Sequence, residues 1–412
     1  MLEDNRRYFL GIDVGTTKVA SIIAMEEGDR ARILGLGAYP SEGLRKGVVI
    51  DKDQTIHAIK SSLKEVELSS GIKLKNCVIG IAGNHIYSFN NKGVVGVKKE
   101  QVSNYDMGRA IHAAMEVVLP TDRQIIHSIV QNYKVDQMDL IKNPVGLNGK
   151  RLEANVHIIT ANCANVKNLV SCIEGCDLKV DGITLQPLSS SMATLTEEEK
   201  NAGVALIDIG GGTTDLAIWK DGSVIYSKVF PVGGGHFTQD LSVALKIPHF
   251  EAERIKIHHG GVFANANNAK KLSLQGLSGT KHREVDQNFV LEVLSARASE
   301  LLEYINKDII EKNVKELVVS GVVFTGGGAL LKDFIQLGEY IFDIPSKLGI
   351  PMDFGGNTHL TQNPKYSTVL GLVKMALNKE FESSDKNELL KSKNIQFRQF
   401  KESLRSILRE IF

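Results

Sequence analysis

The 412-residue chain is 42% hydrophobic and 24% charged, with a formal net charge of +1. That is ordinary for a soluble globular protein and long enough for several compact units. The near-neutral balance gives no whole-chain argument for nucleic acid, and no such partner is expected. Four cysteines (Cys77, Cys163, Cys172, Cys176) make no disulfide framework. Cys172 and Cys176 stand one helical turn apart but read as small apolar fillers, because no His or Cys set completes a tetrahedral site. The chain enters its first strand by Tyr8, leaving no room for a signal peptide, and no apolar run approaches a membrane span. A cytoplasmic protein is expected.

From residue 9 an apolar strand ends in Asp13, turns through Gly15, Thr16, Thr17 and Lys18, and resumes as an apolar run to residue 24. A charged turn at 26–30 and a third strand at 33–38 follow. Residues 51–68 carry helical periodicity behind an Asp cap, and 76–82 read as a buried strand. The pattern then changes. Residues 87–97 read as a broken strand pair, 104–118 as a helix, and 125–135 and 153–159 as strands flanking a 144–149 loop. These make a small β/α insert at 85–159, equally readable as a structural element or as a contact surface for neighbouring copies.

The plan of the first hairpin returns at 203–215: an apolar run ending in Asp208, then Gly210, Gly211 and Gly212, Thr213 and Thr214, and a second acid, Asp215. Glycines permit a tight turn and keep side chains away from backbone N–H groups that bind anions. One such turn is weak evidence; two copies suggest related halves gripping one phosphate chain. Glu253 and Lys256 lie on a helix stopping near Gly260, and 262–283 read as irregular or hairpin structure. A long helix spans 286–311, and a third glycine signal, Gly326, Gly327 and Gly328, feeds a strand directly into a helix. Residues 379–394 are a polar linker.

The terminus differs from that linker. Phe397, Phe400, Leu404, Ile407, Leu408, Ile411 and Phe412 fall on one helical face, with Arg398, Lys401, Arg405 and Arg409 beside or opposite. One reading is a helix docked on its own domain; the other is a helix lying on an anionic membrane. Each basic residue near such a surface adds about 1 kcal/mol, and the apolar residues, worth roughly 1.5–3 kcal/mol each when fully buried, enter lipid only in part. One tail is a reversible anchor, and several on a polymer bind far more firmly.

These residues together resemble the ATPase fold shared by actin, sugar kinases and heat-shock chaperones. Within it the chain resembles the FtsA family of bacterial cell-division proteins, through the insert with its 142–147 loop, residues 203–215, residues 252–260 and the basic terminus. The resemblance implies an α/β fold of two ribonuclease-H-like halves, with the inserted subdomain and a C-terminal amphipathic helix. The expected division is 1–84, 160–200 and 360–380 for the first core subdomain, with the insert at 85–159. The second core subdomain takes 201–234 and 304–359, a smaller lobe 235–303, the linker 381–394 and the membrane helix 395–412.

It further implies ATP with Mg²⁺ between the halves. Gly15, Thr16, Thr17 and Lys18 match one phosphate loop, and Gly211, Gly212, Thr213 and Thr214 the other. Asp13 and Asp208 match carboxylates that hold the hydrated metal, Glu253 and Lys256 the ribose and base contacts, and Gly326 to Gly328 the adenine side. Gln186 falls where related proteins orient an attacking water, with ATP hydrolysis slow at most. Implied partners are the FtsZ C-terminal tail, docking near Arg297 and Glu300, further copies in a filament, the anionic membrane at the septum through the tail including Lys401, and later division proteins. A small-molecule kinase or a pilus-assembly scaffold of the same superfamily are the alternatives.

Overall fold

A computed structural model of the chain describes residues 6–263, 270–275 and 282–378. The linker and the amphipathic tail expected at 381–412 lie outside the described residues.

Two sheets of like order carry the fold. In the first, Tyr8–Val14, Lys18–Glu27 and Arg30–Pro40 form an antiparallel meander, while Asn76–Ile81 and Lys179–Leu185 add in parallel on the other side of Tyr8–Val14. In the second, Val204–Ile209, Thr214–Lys220 and Ser223–Phe230 form the meander, and Val322–Thr325 and Ser346–Leu348 add in parallel. Phe354–Gly355 pairs at the far edge of the first sheet. Central strands covered on both faces need apolar side chains throughout, and every residue of Val204–Ile209 is buried. The Lys220–Ser223 pair closes on Asp221 and Gly222, both at positive φ (51° and 70°), the geometry of a two-residue hairpin turn.

Each sheet has its own core. Ile12, Ile59, Ile79 and Ile183 belong to the first, and Ile207, Leu302, Phe324 and Phe334 to the second. Helix Ser367–Leu377 returns to the first sheet, where Gly11 lets Val373 and Leu372 approach, and crosses helix Gln186–Thr194 with Gly371 against the Ser189 carbonyl.

Between Asn76–Ile81 and helix Cys163–Glu174 lies a third sheet, ordered Tyr87–Gly96, Arg151–Asn162, Arg123–Val135 and Met138–Ile141. Helix Asn104–Met115, capped by Ser103 and Asp106, covers it. Residues 87–96 form one continuous strand rather than the expected broken pair. The Asn and Gly residues that suggest a break serve packing instead: at Gly93 a Cβ would overlap the Ala110 carbonyl of the covering helix. Strands Lys271–Gln275 and His282–Asp286 pair as a hairpin ahead of the long helix Gln287–Glu311. The third glycine signal does not enter a helix directly. A single 3-10 turn at Gly328–Leu330 and Asp333 at φ 61° precede helix Phe334–Phe342.

Candidate nucleotide cleft

The two glycine turns are structural equivalents. Val14 pairs with Val19 around residues 15–18, and Ile209 pairs with Thr214 around residues 210–213. Each closes with the same bond: Gly15 N–H donates to the Lys18 carbonyl at 3.0 Å, and Gly210 N–H to the Thr213 carbonyl at 2.9 Å. Thr16 therefore corresponds to Gly211, Thr17 to Gly212 and Lys18 to Thr213. The two Thr-Thr pairs, which read as matching elements in the sequence, are out of step. Thr214 lies inside its strand with its hydroxyl on the Val232 carbonyl (2.8 Å), and the Thr213 hydroxyl reaches Asp215 Oδ2 at 3.4 Å.

The turns meet face to face. A Cβ on Gly211 would crowd the Thr17 side chain, and one on Gly212 would crowd Thr16. The backbone N–H groups of Thr16, Thr17, Gly211 and Gly212 make no hydrogen bond among the described residues. Behind the second turn, the first N–H groups of helix Gly234–Leu245 donate back to it, Gly234 to Gly210 O (2.8 Å) and Gly235 to Gly211 O (2.7 Å). The Thr16 hydroxyl accepts from Gly47 N–H at 3.1 Å.

Below the turns lie buried carboxylates. Asp13 accepts from Gln186 Nε2 at 2.7 Å. Asp208 Oδ2 accepts from the Ser190 hydroxyl and from Thr368 Oγ1, the latter at 3.2 Å. Asp215 sits directly across the strand pair from Asp208, where the first half carries Ala20 opposite Asp13. Burial pushes Asp13 up to about 6, against the pull of Lys18. It raises Asp208 too, and holds Asp215 well above the usual carboxylate range with added repulsion from Asp208. Asp215 Oδ1 is buried without a hydrogen-bond partner. Glycine at 326 is obligatory beside them: its φ is 83°, and a Cβ there would overlap Asp208 Oδ1.

Lys18 faces these acids. Lys18 Nζ donates to the Lys365 carbonyl and lies 4.2 Å from the Tyr366 ring centre; burial lowers it to about 8, opposed by Asp13. Lys256 Nζ contacts Glu253 (2.7 Å), Thr238 Oγ1 (2.8 Å) and the Gly234 carbonyl (3.0 Å), while Thr238 also donates to Glu253. Glu253 and Lys256 thus stand locked together beside the N-terminus of helix Gly234–Leu245. Gly327 lies against the Lys365 side chain.

These residues fit a magnesium-bound polyphosphate on their own chemistry: unpaired N–H donors on facing turns, an orphaned carboxylate oxygen and nearby lysines. Among the described residues no three His, Cys, Asp or Glu converge to hold an ion unaided. Asp215, Ser190, Thr238, Lys365 and Thr368 went unassigned in the sequence. Asp215 alone carried a signal there, as the second acid of its motif. Arg297 and Glu300 stand apart from the cleft on helix Gln287–Glu311, where Arg297 grips Asp240 (2.5 and 3.1 Å) and also Glu300.

Two sheets of one topology, meeting through paired glycine turns over buried aspartates, define a protein of the actin-like ATPase fold. Solved structures agree at the level of fold. The PilM–PilN type IV pilus biogenesis complex matches with a TM-score of 0.66 at 14% identity, covering 91% of this chain and 99% of that one. MreB5 of Spiroplasma citri bound to ADP matches with a TM-score of 0.56 at 15% identity, covering 90% and 98%. The family model for cell division protein FtsA matches residues 205–371, and that for the SHS2 domain inserted in FtsA matches 83–160. FtsA of Neisseria meningitidis serogroup B is 38% identical over 92% of each chain, and FtsA of Escherichia coli K12 is 32% identical over 90% of each. The chain belongs to the FtsA family of cell-division proteins.

Proposed function

We propose that this chain binds ATP with Mg²⁺ between its two halves, polymerises on the cytoplasmic face of the membrane at the division septum, and tethers FtsZ filaments there while helping recruit later division proteins. The observation that carries the nucleotide reading is the pair of equivalent turns, with free N–H donors above Asp13 and Asp208. Lys18, Thr16, Thr17, Gly211 and Gly212 hold the phosphates, and Asp13 and Asp208, supplemented by Asp215, face the hydrated metal. Glu253, Lys256 and Gly326 to Gly328 flank the nucleoside. The bound metal supplies charge neutralisation of the phosphates. Gln186 keeps Asp13 oriented and is the group nearest that acid for placing a water, with any hydrolysis slow. MreB5, of the same fold, is solved with ADP and with AMPPNP, and MamK as a double helical filament; these support nucleotide binding and self-assembly.

The membrane contact falls to the terminal residues, Phe397, Phe400, Lys401, Leu404, Arg405, Ile407, Leu408, Arg409, Ile411 and Phe412, whose apolar members recur at three- and four-residue spacing with basic residues among them. The 85–159 insert and the 235–303 lobe supply contact surfaces for other division proteins, the FtsZ tail approaching Arg297 and Glu300. A pilus scaffold is the less supported reading, since identity to PilM is 14% against 38% for an FtsA relative.

Pelleting with anionic liposomes tests the anchor: the full chain with ATP sediments with lipid, and removal of residues 395–412 abolishes this. Unchanged sedimentation defeats the anchor. Electron microscopy on a lipid monolayer with ATP, with and without an FtsZ tail peptide, tests the filament and the tether.

A further inference from the structure

The inserted sheet turns one face toward Ser223–Phe230, the edge strand of the second sheet. Ser88 Oγ donates to the Ser227 carbonyl (2.6 Å), Asn90 Nδ2 to the Ile225 carbonyl (3.1 Å) and Gln131 Nε2 to the Val224 carbonyl (3.1 Å). Ser223 Oγ donates back to the Val130 carbonyl at 3.2 Å. His157, buried among them, has Nδ1 2.6 Å from Asn90 Oδ1 and Nε2 2.9 Å from Ser227 Oγ. Polar side chains thus cover a strand edge that would otherwise stand open.

Two strand positions along, on the same face, His127 turns the other way, to the first half. It is buried, and its Nε2 accepts the Leu185 backbone N–H at 3.0 Å. Leu185 ends the strand Lys179–Leu185 and caps helix Gln186–Thr194, which has no side-chain cap of its own. The next residue, Gln186, donates to Asp13 at 2.7 Å. Two hydrogen bonds joined by one peptide bond therefore connect the insert to the carboxylate beneath the first phosphate turn.

We propose that His127 is a positioning residue for the nucleotide cleft, holding the Leu185–Gln186 junction so that Gln186 stays on Asp13 and the placement of the insert is coupled to nucleotide affinity. The inference rests on the nucleotide reading above. A hydrogen bond at an otherwise uncapped junction restricts the backbone there, and partners one step removed from a ligand are what fix the groups that touch it. Burial, with repulsion from His157, holds His127 down at about 4, so its Nε2 remains an acceptor near neutral pH. The proton then sits on Nδ1. The insert's other bonds, to the Ser223–Phe230 strand, make this contact sensitive to how the two halves are set against each other.

The experiment is a titration of the full-length chain with a fluorescent ATP analogue and Mg²⁺, across wild type, His127→Phe, His127→Gln, Gln186→Ala and the double variant His127→Phe/Gln186→Ala. Removal of the acceptor in His127→Phe is expected to weaken binding about fivefold. His127→Gln, whose amide oxygen reaches the position of Nε2, restores most of it. In the Gln186→Ala background the Phe substitution adds no further loss. An unchanged affinity in His127→Phe overturns the relay, as does an equal loss in both backgrounds, which would mark general loosening of the fold. Where His127→Phe does not fold, His127→Asn, whose oxygen stops short of Leu185, replaces it under the same criteria. Absence of binding by the wild type overturns the nucleotide reading itself, a result distinct from the others.

Discussion

Thr17 lies so close to Gly211 that a Cβ placed there would stand 2.8 Å from Thr17 Cβ and nearer still to its methyl and hydroxyl. Thr16 and Gly212 repeat the contact at 2.8 Å to Thr16 Cβ. Threonine side chains on one turn pack on bare backbone of the other, so a phosphate chain lying between them requires the turns to separate. Gly211→Ala should wedge them apart without a ligand. The expected loss is about 1–3 kcal/mol of stability, the range for overpacking, together with weakened ATP binding. Chemical denaturation and nucleotide titration measure the two; an unchanged unfolding midpoint would contradict the packing.

Burial raises the proton affinity of Asp208, opposed by the bonds from Ser190 and Thr368 and by Lys18. Asp208→Asn removes the charge while keeping an acceptor for both hydroxyls. The unliganded protein should melt about 1 °C higher, the shift expected for about 1 kcal/mol in a chain of this size. Stabilisation by ATP with Mg²⁺ should vanish, and nucleotide-dependent filaments with it. Thermal melts with and without Mg²⁺ separate the two effects.

Histidines make the fold sensitive to acid. Burial holds His127 and His157 down at about 4, and His85, beside Arg123, also at about 4. The unfolded chain, with histidines near 6.5, binds more protons between these limits. The stability from neutral burial is therefore complete above pH 6.5 and is lost as pH falls toward 4. His157→Gln should reduce proton uptake on unfolding at pH 5 by about one, read from the pH dependence of urea midpoints. An unaltered pH dependence would show that His157 is not held neutral in the fold.

Arg297 is engaged within the chain, gripping Asp240 at 2.5 Å and contacting the exposed Glu300. An acidic peptide reaching Arg297 must compete with Asp240. Asp240→Asn is expected to strengthen binding of an FtsZ tail peptide severalfold, and Arg297→Glu to abolish it, both read by fluorescence anisotropy. Weaker binding by Asp240→Asn would place the dock elsewhere.

Most of the architecture was legible along the chain. Both hairpins, the helices of the cores and the insert follow from periodicity and turn chemistry, which act between near neighbours. Misreadings came where a local signal had a distant cause. Gly93 looks like a strand break but serves the approach of Ala110, and Gly326 to Gly328 lead into a 3-10 turn rather than a helix. The Thr-Thr motifs suggested one alignment of the turns, whereas pairing of Val14 with Val19 and of Ile209 with Thr214 imposes another, two residues displaced.

The residues of the chain, taken alone, determined the doubled strand–turn–strand unit, its acids Asp13 and Asp208, and the glycines that let backbone approach an anion. Strand periodicity and glycine's lack of a Cβ are properties of short segments. Tertiary structure decided which groups join them: Asp215 opposite Asp208, Gln186 against Asp13 from 173 residues away, and the insert fastened to both halves through His127 and His157. Those contacts depend on strand register and on which face each side chain takes, and long-range packing sets both.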